Sequence, residues 1–252
     1  VKSTSSPIRG GGREATGVRP LNLVLLPGMH GSGQLFEPLL KELPDFIKPL
    51  VVSYPPDRPS DYNEHLNIVM AALPLDEPFV LLGESFSGPL ALMAAARNPR
   101  GLRGVVLCAT FIIFPLSVPV SLLRPFISPL LFRIKTTRLF LRIILGSNAP
   151  EWLKKLFFET LVDIRPEVLA ARATAVLDLD CTDALRECAV PILVMTAGRD
   201  RLVPKRKSEM IHAIRPDAEY VEINAPHLIL QCAPAAAAGH IRRFAERVRA
   251  SI

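Results

Sequence analysis

Ser85 sits where an apolar run, Val80-Leu81-Leu82, passes through Gly83 and Glu84 and opens into Phe86-Ser87-Gly88. Strand-like residues, a small residue, a serine, a second small residue and a helix-forming stretch follow in the order that a nucleophile on a sharp strand-to-helix turn requires. A Cβ two residues before or after such a serine would collide with the backbone. Gly83 meets the first requirement. Ser87 stands at the second, so the pattern is G-x-S-x-S-G in place of G-x-S-x-G. Glycine–serine clusters also make ordinary turns, and only further residues separate the two readings.

A serine hydroxyl is a weak nucleophile until a base takes its proton, an acid orients that base and donors hold the developing oxyanion. In sheets of parallel strands such groups collect just past the strands' carboxyl ends. Among the histidines, His227 follows the strand-like run 219–223 after the short loop Asn224-Ala225-Pro226. His30 lies in a glycine-rich loop where it could line the site, and it is the alternative base. His65, His212 and His240 fall within helical stretches and read as surface or structural residues. For the acid, Asp200 follows the run Pro191-Ile192-Leu193-Val194-Met195-Thr196 and its turn; it could instead merely cap the next segment. Asp178, Asp180 and Asp183 have no preceding strand, and Asp217 lies at the wrong end of one.

The loop Pro27-Gly28-Met29-His30-Gly31-Ser32-Gly33 follows the first apolar run. Its glycines let backbone N–H groups turn inward toward a substrate oxygen. The expected oxyanion donors are the N–H of Met29 and the N–H of Phe86, next after the serine. Gly28 and His30 are expected beside the substrate. The loop lacks a Gly-Lys-Ser/Thr ending and G-x-G-x-x-G, so nucleotide binding has little support.

These groups need a scaffold that ends several strands in one place. Residues 21–26, closed by Pro27-Gly28, read as a strand buried on both faces, as parallel sheets require. Residues 50–54 read as a second such strand, and 79–82, 104–108, 191–196 and 219–223 as further strands. Helical spacing fills the intervals at 33–43, 61–73, 89–97 and around Met210, Ile211 and Ile214, and a basic amphipathic helix closes the chain at 235–248. Strands alternating with helices of about 10–15 residues mean an α/β fold, doubly wound, with a mostly parallel sheet.

The alternation breaks between 112 and 189, where helices can be drawn at 136–145, 151–161 and 166–177 but no clear strand. A helical cap inserted over the strand ends accounts for it, leaving 1–20 as an N-terminal arm and 21–111 with 190–252 as the core. The first part of the insertion carries Arg124, Arg133, Lys135, Arg138 and Arg142 with no Asp or Glu. A solvated cationic face is one reading. Steering of an acidic carrier protein or docking on an anionic surface is another. Phe111, Phe114, Phe126, Phe132 and Phe140 suit an apolar substrate, Phe111 nearest the strand end, or simply pack.

The order of parts (glycine-rich loop, serine elbow, insertion, Asp, His) resembles that of the α/β-hydrolase superfamily, over about 21–248. The loop Leu26-Pro27-Gly28-Met29-His30-Gly31-Ser32-Gly33 also resembles the L-P-G-x-D-G-T-G loop of some lipid esterases there, with His30 where Asp is usual. The resemblance implies a catalytic triad of Ser85, Asp200 and His227, with Met29 and Phe86 at the oxyanion positions.

The expected activity is hydrolysis of small to medium carboxylic esters through an acyl-enzyme, with no metal and no organic cofactor. Thioesters, methyl esters on an acyl carrier protein, lactones and carbon–carbon bonds are alternatives, as is a non-catalytic ligand-binding relative. Serine at the elbow argues against chemistry that needs a carboxylate nucleophile.

Composition narrows the rest. At 252 residues, 49% hydrophobic and mean hydropathy +0.29, the chain is long and apolar enough for a large core. A net charge of +6, three Tyr, one Trp and no basic block give little support to nucleic-acid binding. Prolines and cations interrupt 111–145, so no stretch meets the roughly 20 uncharged residues of a membrane span. Cys108, Cys181, Cys188 and Cys232 show no zinc spacing, and Cys181 with Cys188 could pair only if the fold brought them together. A reduced, cytoplasmic protein is the expectation.

Overall fold

The computed structural model describes residues 20–116, 118–133 and 138–250. The expected N-terminal arm up to residue 19 and Lys135 of the basic run lie outside these residues, as do the side chains of Arg138 and Leu139. Six parallel strands, β1 (Leu21–Leu26), β2 (Ile47–Val51), β3 (Phe79–Glu84), β4 (Leu102–Cys108), β5 (Ile192–Ala197) and β6 (Glu219–Ile223), form one sheet in the order β2-β1-β3-β4-β5-β6. After β2 the chain crosses back over β1 to lay down β3. The order therefore reverses at β1 and β3, where a doubly wound sheet opens a crevice at its carboxyl edge.

Strand side chains alternate between the two faces, and the core divides accordingly. Leu21, Leu23 and Leu25 of β1 join Val80, Leu82, Leu193 and Met195 on one face, under helix Pro234–Ala250. Val24 and Leu26 join Leu81, Val105, Leu107 and Val194 on the other, with residues of helices Tyr62–Ala72 and Gly88–Ala96. Every residue of β1 and of β3 is buried, as the continuous apolar runs require. Helix Tyr62–Ala72 starts at a capping box: the Asp61 carboxylate accepts from the Glu64 N–H (2.8 Å) and the Glu64 carboxylate accepts from the Asp61 N–H (3.0 Å).

The second strand differs from its expectation. β2 is Ile47–Val51, displaced toward the N-terminus from 50–54, and only Ile47 of it is buried. It lies at the sheet edge, paired to β1 alone, where Pro49 is tolerated because an edge strand has a row of unpaired backbone groups. Val52 and Tyr54, the residues past its end, are the buried ones.

Between β4 and β5, helices Arg138–Leu145, Glu151–Val162 and Pro166–Leu177 stand close to the expected helical stretches. Helix Thr182–Glu187 and short turns at Val120–Leu123, Arg124–Phe126 and Pro129–Arg133 add to them. Among the described residues the segment has no strand, only an isolated antiparallel bridge from Ile113 to Asp180. Its longer helices build a third apolar cluster, Ile144, Leu153, Phe157, Leu161 and Val168, which also takes in Leu35 and Leu228. No helix among the described residues is long and apolar enough to cross a membrane, and the four cysteines are unpaired.

Candidate active site

Ser85 is the first residue after β3 and holds φ at +51°, the left-handed region that side chains normally avoid. Gly83 makes the turn feasible: a Cβ there would lie 2.3 Å from the Ser87 carbonyl oxygen and 2.8 Å from the Gly88 Cα. Such a backbone costs on the order of 1–3 kcal/mol and persists where its surroundings over-determine it. Three buried hydroxyls do so here. Thr110 donates to the Ser85 carbonyl (2.5 Å), Tyr62 donates to the Phe86 carbonyl (3.1 Å), and Ser87 donates to the Pro27 carbonyl.

Ser87 is fully buried and is therefore more than a small residue that permits the turn. Since its one proton goes to Pro27, the Tyr54 hydroxyl, 2.7 Å away, donates to it. Burial pushes the Tyr54 and Tyr62 phenols well up, so both remain protonated donors. Ser87 thus joins the elbow after β3 to the loop after β1, across the switch point.

His227 is buried in the loop that follows β6, and its Nε2 lies 2.9 Å from the Ser85 Oγ. Its Nδ1 lies 2.8 Å from Asp200 Oδ2. The other Asp200 oxygen, Oδ1, accepts from the N–H groups of Leu202 (2.8 Å) and Val203 (2.9 Å). Asp200 therefore makes its cap contacts through one oxygen and meets His227 through the other. A carboxylate on Nδ1 keeps the proton there and leaves Nε2 free to accept one from Ser85. The remaining histidines are engaged elsewhere. His65 packs edge-on to Tyr54, His212 edge-on to Tyr220, and His240 meets Arg243.

The glycine-rich loop turns at 28–31, closed by the Gly31 N–H donating to the Gly28 carbonyl (2.9 Å), with Gly31 at φ +72°. The Gly28–Met29 peptide thus spends its carbonyl inside the turn and presents the Met29 N–H on its opposite edge. His30 Nδ1 accepts from the Ser32 N–H (3.2 Å), which puts the ring proton of a neutral His30 on Nε2. That nitrogen faces Glu84 Oε2 at 3.6 Å, and both side chains are buried. Phe111, just past β4, is also buried and belongs to the core. Phe126 is exposed, Phe132 packs on the third cluster, and Phe140 meets Phe157. Among the described residues, no group of three His, Cys, Asp or Glu could hold a metal ion.

Four residues around the site went unread in the sequence: Tyr54, Tyr62, Thr110 and Arg172. Tyr54 and Thr110 lie just past β2 and β4, at the carboxyl ends of strands like Ser85 and His227. Arg172 lies in helix Pro166–Leu177, four residues after Val168 and four before Val176, on that helix's buried stripe. A cation at that spacing was the available signal. Its Nη1 donates to the Met29 carbonyl (2.8 Å) and its Nη2 to the Pro55 carbonyl (2.9 Å).

Chemically, an alcohol, an imidazole and a carboxylate in hydrogen-bonded series beside a loop rich in backbone donors can perform acyl transfer. Comparison with known proteins agrees in kind. Residues 23–240 match the alpha/beta hydrolase family. A pimeloyl-[acyl-carrier protein] methyl ester esterase of Xylella fastidiosa is 31% identical over 81% of this chain and 85% of its own. One of the same name from Neisseria meningitidis is 24% identical over 75% of this chain, which spans 64% of that protein's length. The solved esterase of Exiguobacterium antarcticum superposes with a TM-score of 0.78 at 19% identity, covering 90% of this chain and 92% of its own.

Proposed function

The chain belongs to the alpha/beta hydrolase family, and we propose that within it the protein is a carboxylic ester hydrolase with Ser85 as nucleophile, His227 as base and Asp200 as orienting acid. One observation carries the reading: the unbroken series from Ser85 Oγ to His227 Nε2 at 2.9 Å and from His227 Nδ1 to Asp200 Oδ2 at 2.8 Å. His227 takes the Ser85 proton as Oγ attacks the ester carbonyl carbon. The N–H groups of Met29 and Phe86 hold the oxyanion, each such donor contributing about 2.7–4 kcal/mol in the transition state. The imidazolium then protonates the leaving alkoxide, which departs as alcohol. Water attacks the acyl-enzyme by the reverse proton route and frees Ser85.

We read 112–189 as a helical lid over this site and the acyl group as small to medium and apolar. A second reading keeps the chemistry and changes the carrier: a methyl ester of an acyl group borne on an acidic carrier protein. The names of the relatives favour it, as does the run 112–145, which has cations and no Asp or Glu. Hydrolysis that weakens steeply with added salt distinguishes this reading from the solvated-face one.

The test is turnover of p-nitrophenyl acyl esters together with fluorophosphonate labelling. The wild type is expected to turn over and to label. Ser85→Ala is expected to lose roughly 10⁶-fold in kcat and all labelling while its far-UV circular dichroism is unchanged. A variant that keeps its activity removes Ser85 from the mechanism, and a wild type that fails to label favours a non-catalytic ligand-binding protein.

A further inference from the structure

We infer that Arg172, a residue of the helical insertion, is a positioning residue for the oxyanion loop, so that docking of helix Pro166–Leu177 sets the catalytic competence of Ser85. The inference rests on the hydrolase reading above.

Arg172 is fully buried. A guanidinium in that place gives up its hydration, and the usual compensation is a carboxylate. Here the partners are two neutral carbonyls, those of Met29 and Pro55, with the Tyr54 ring 5.7 Å away and Nε without a partner. Burial lowers its pKa to about 10, which still leaves it charged at neutral pH. Filling space on the stripe between Val168 and Val176 would need only a leucine. What an arginine adds is a planar fork that holds two acceptors at a fixed separation.

Both acceptors lie outside the insertion. Met29 follows β1 and Pro55 follows β2, so the fork bridges the loops at the ends of two neighbouring strands. The loop packs directly on it: a Cβ at Gly31 would lie 2.5 Å from Nη1. Two restraints then act on consecutive peptides. Arg172 holds the Met29 carbonyl and the Gly31 N–H holds the Gly28 carbonyl. The Gly28–Met29 peptide is fixed in its plane, and with it the direction of the Met29 N–H, the donor assigned to the oxyanion. Releasing the guanidinium frees one restraint without removing any group that touches substrate.

Arg172→Met keeps an unbranched apolar stem and removes the donors; Arg172→Lys keeps the charge as a single point donor. Each is compared with wild type for kcat and KM on p-nitrophenyl butyrate, for the fluorophosphonate labelling rate and for melting temperature. Val168→Ala, which loosens the same helix without touching the guanidinium, is the control. Arg172→Met is expected to lose about 10- to 100-fold in kcat, the size of effect a displaced catalytic donor produces, with KM changed less than about threefold and labelling slowed in parallel. Arg172→Lys is expected to fall between it and wild type, and it decides the matter if Arg172→Met does not fold. Wild-type kcat in whichever variant decides overturns the inference, as does an equal loss of kcat in Val168→Ala, which would make Arg172 merely structural. A wild type that neither labels nor turns over fails the hydrolase reading instead, a separate result.

Discussion

The loops at the β1/β3 switch point and the run that follows β4 are both built from apolar stretches punctuated by proline or glycine, yet they use their side chains in opposite ways. Around Ser85 every residue from Phe79 to Leu92 is buried, and the carbonyls of Ser85 and Phe86 each accept from a side-chain hydroxyl. In the short turns between Val120 and Arg133 several large side chains face outward: Leu122 is 61% exposed, Phe126 73% and Leu130 68%. Apolar content alone therefore does not locate the core. What separates the regions is polar satisfaction, since a strained turn can be buried only if its freed backbone groups find partners. An apolar surface run with few such demands can remain outside, where it suits a partner or a substrate.

The comparison is sharpened most by Asp200→Asn. Asn keeps an oxygen for the N–H groups of Leu202 and Val203, so the loop and the melting temperature should hold. The His227 tautomer is no longer enforced, and kcat for p-nitrophenyl esters should fall by roughly 10⁴-fold. Retained activity would reduce Asp200 to a cap. Ser87→Ala acts on the same region through stability. It leaves the Pro27 carbonyl and the Tyr54 hydroxyl buried without their partner, and should cost about 1–3 kcal/mol by urea denaturation. Ser87→Gly should cost at least as much; a neutral result would mean that small size is the only requirement there. The smallest effect is expected in the outer region. Leu130→Ala should change stability by less than about 0.5 kcal/mol, against the roughly 2–5 kcal/mol typical of a buried leucine such as Leu90. A drop in activity confined to long acyl esters in Leu130→Ala would give that surface a role in substrate capture.

Strands that carry both faces inward were legible because their runs are unbroken: β1 and β3 stand almost where their letters place them. β2 was not, because an edge strand has a solvent face and its sequence, Ile-Lys-Pro-Leu-Val, lacks that run. The apolar letters just past it, Val52 and Tyr54, serve the core and the elbow instead. The helix that starts at Asp61 and the longer helices between β4 and β5 were legible from local spacing, whereas the short turns at 120–133 carry too little periodicity to be drawn.

By itself the sequence determined a strand-rich α/β scaffold, a serine on a tight turn, and an imidazole and a carboxylate each just past a strand, because buried periodicity and turn chemistry are local properties. Tertiary structure alone decided that the three meet within hydrogen-bonding distance, that Ser87 and Tyr54 join two strands' loops, and that an arginine from a helix between β4 and β5 reaches the Met29 carbonyl. Those contacts span residues far apart in the chain, and their distances follow from how the sheet orders its strands rather than from any spacing along it.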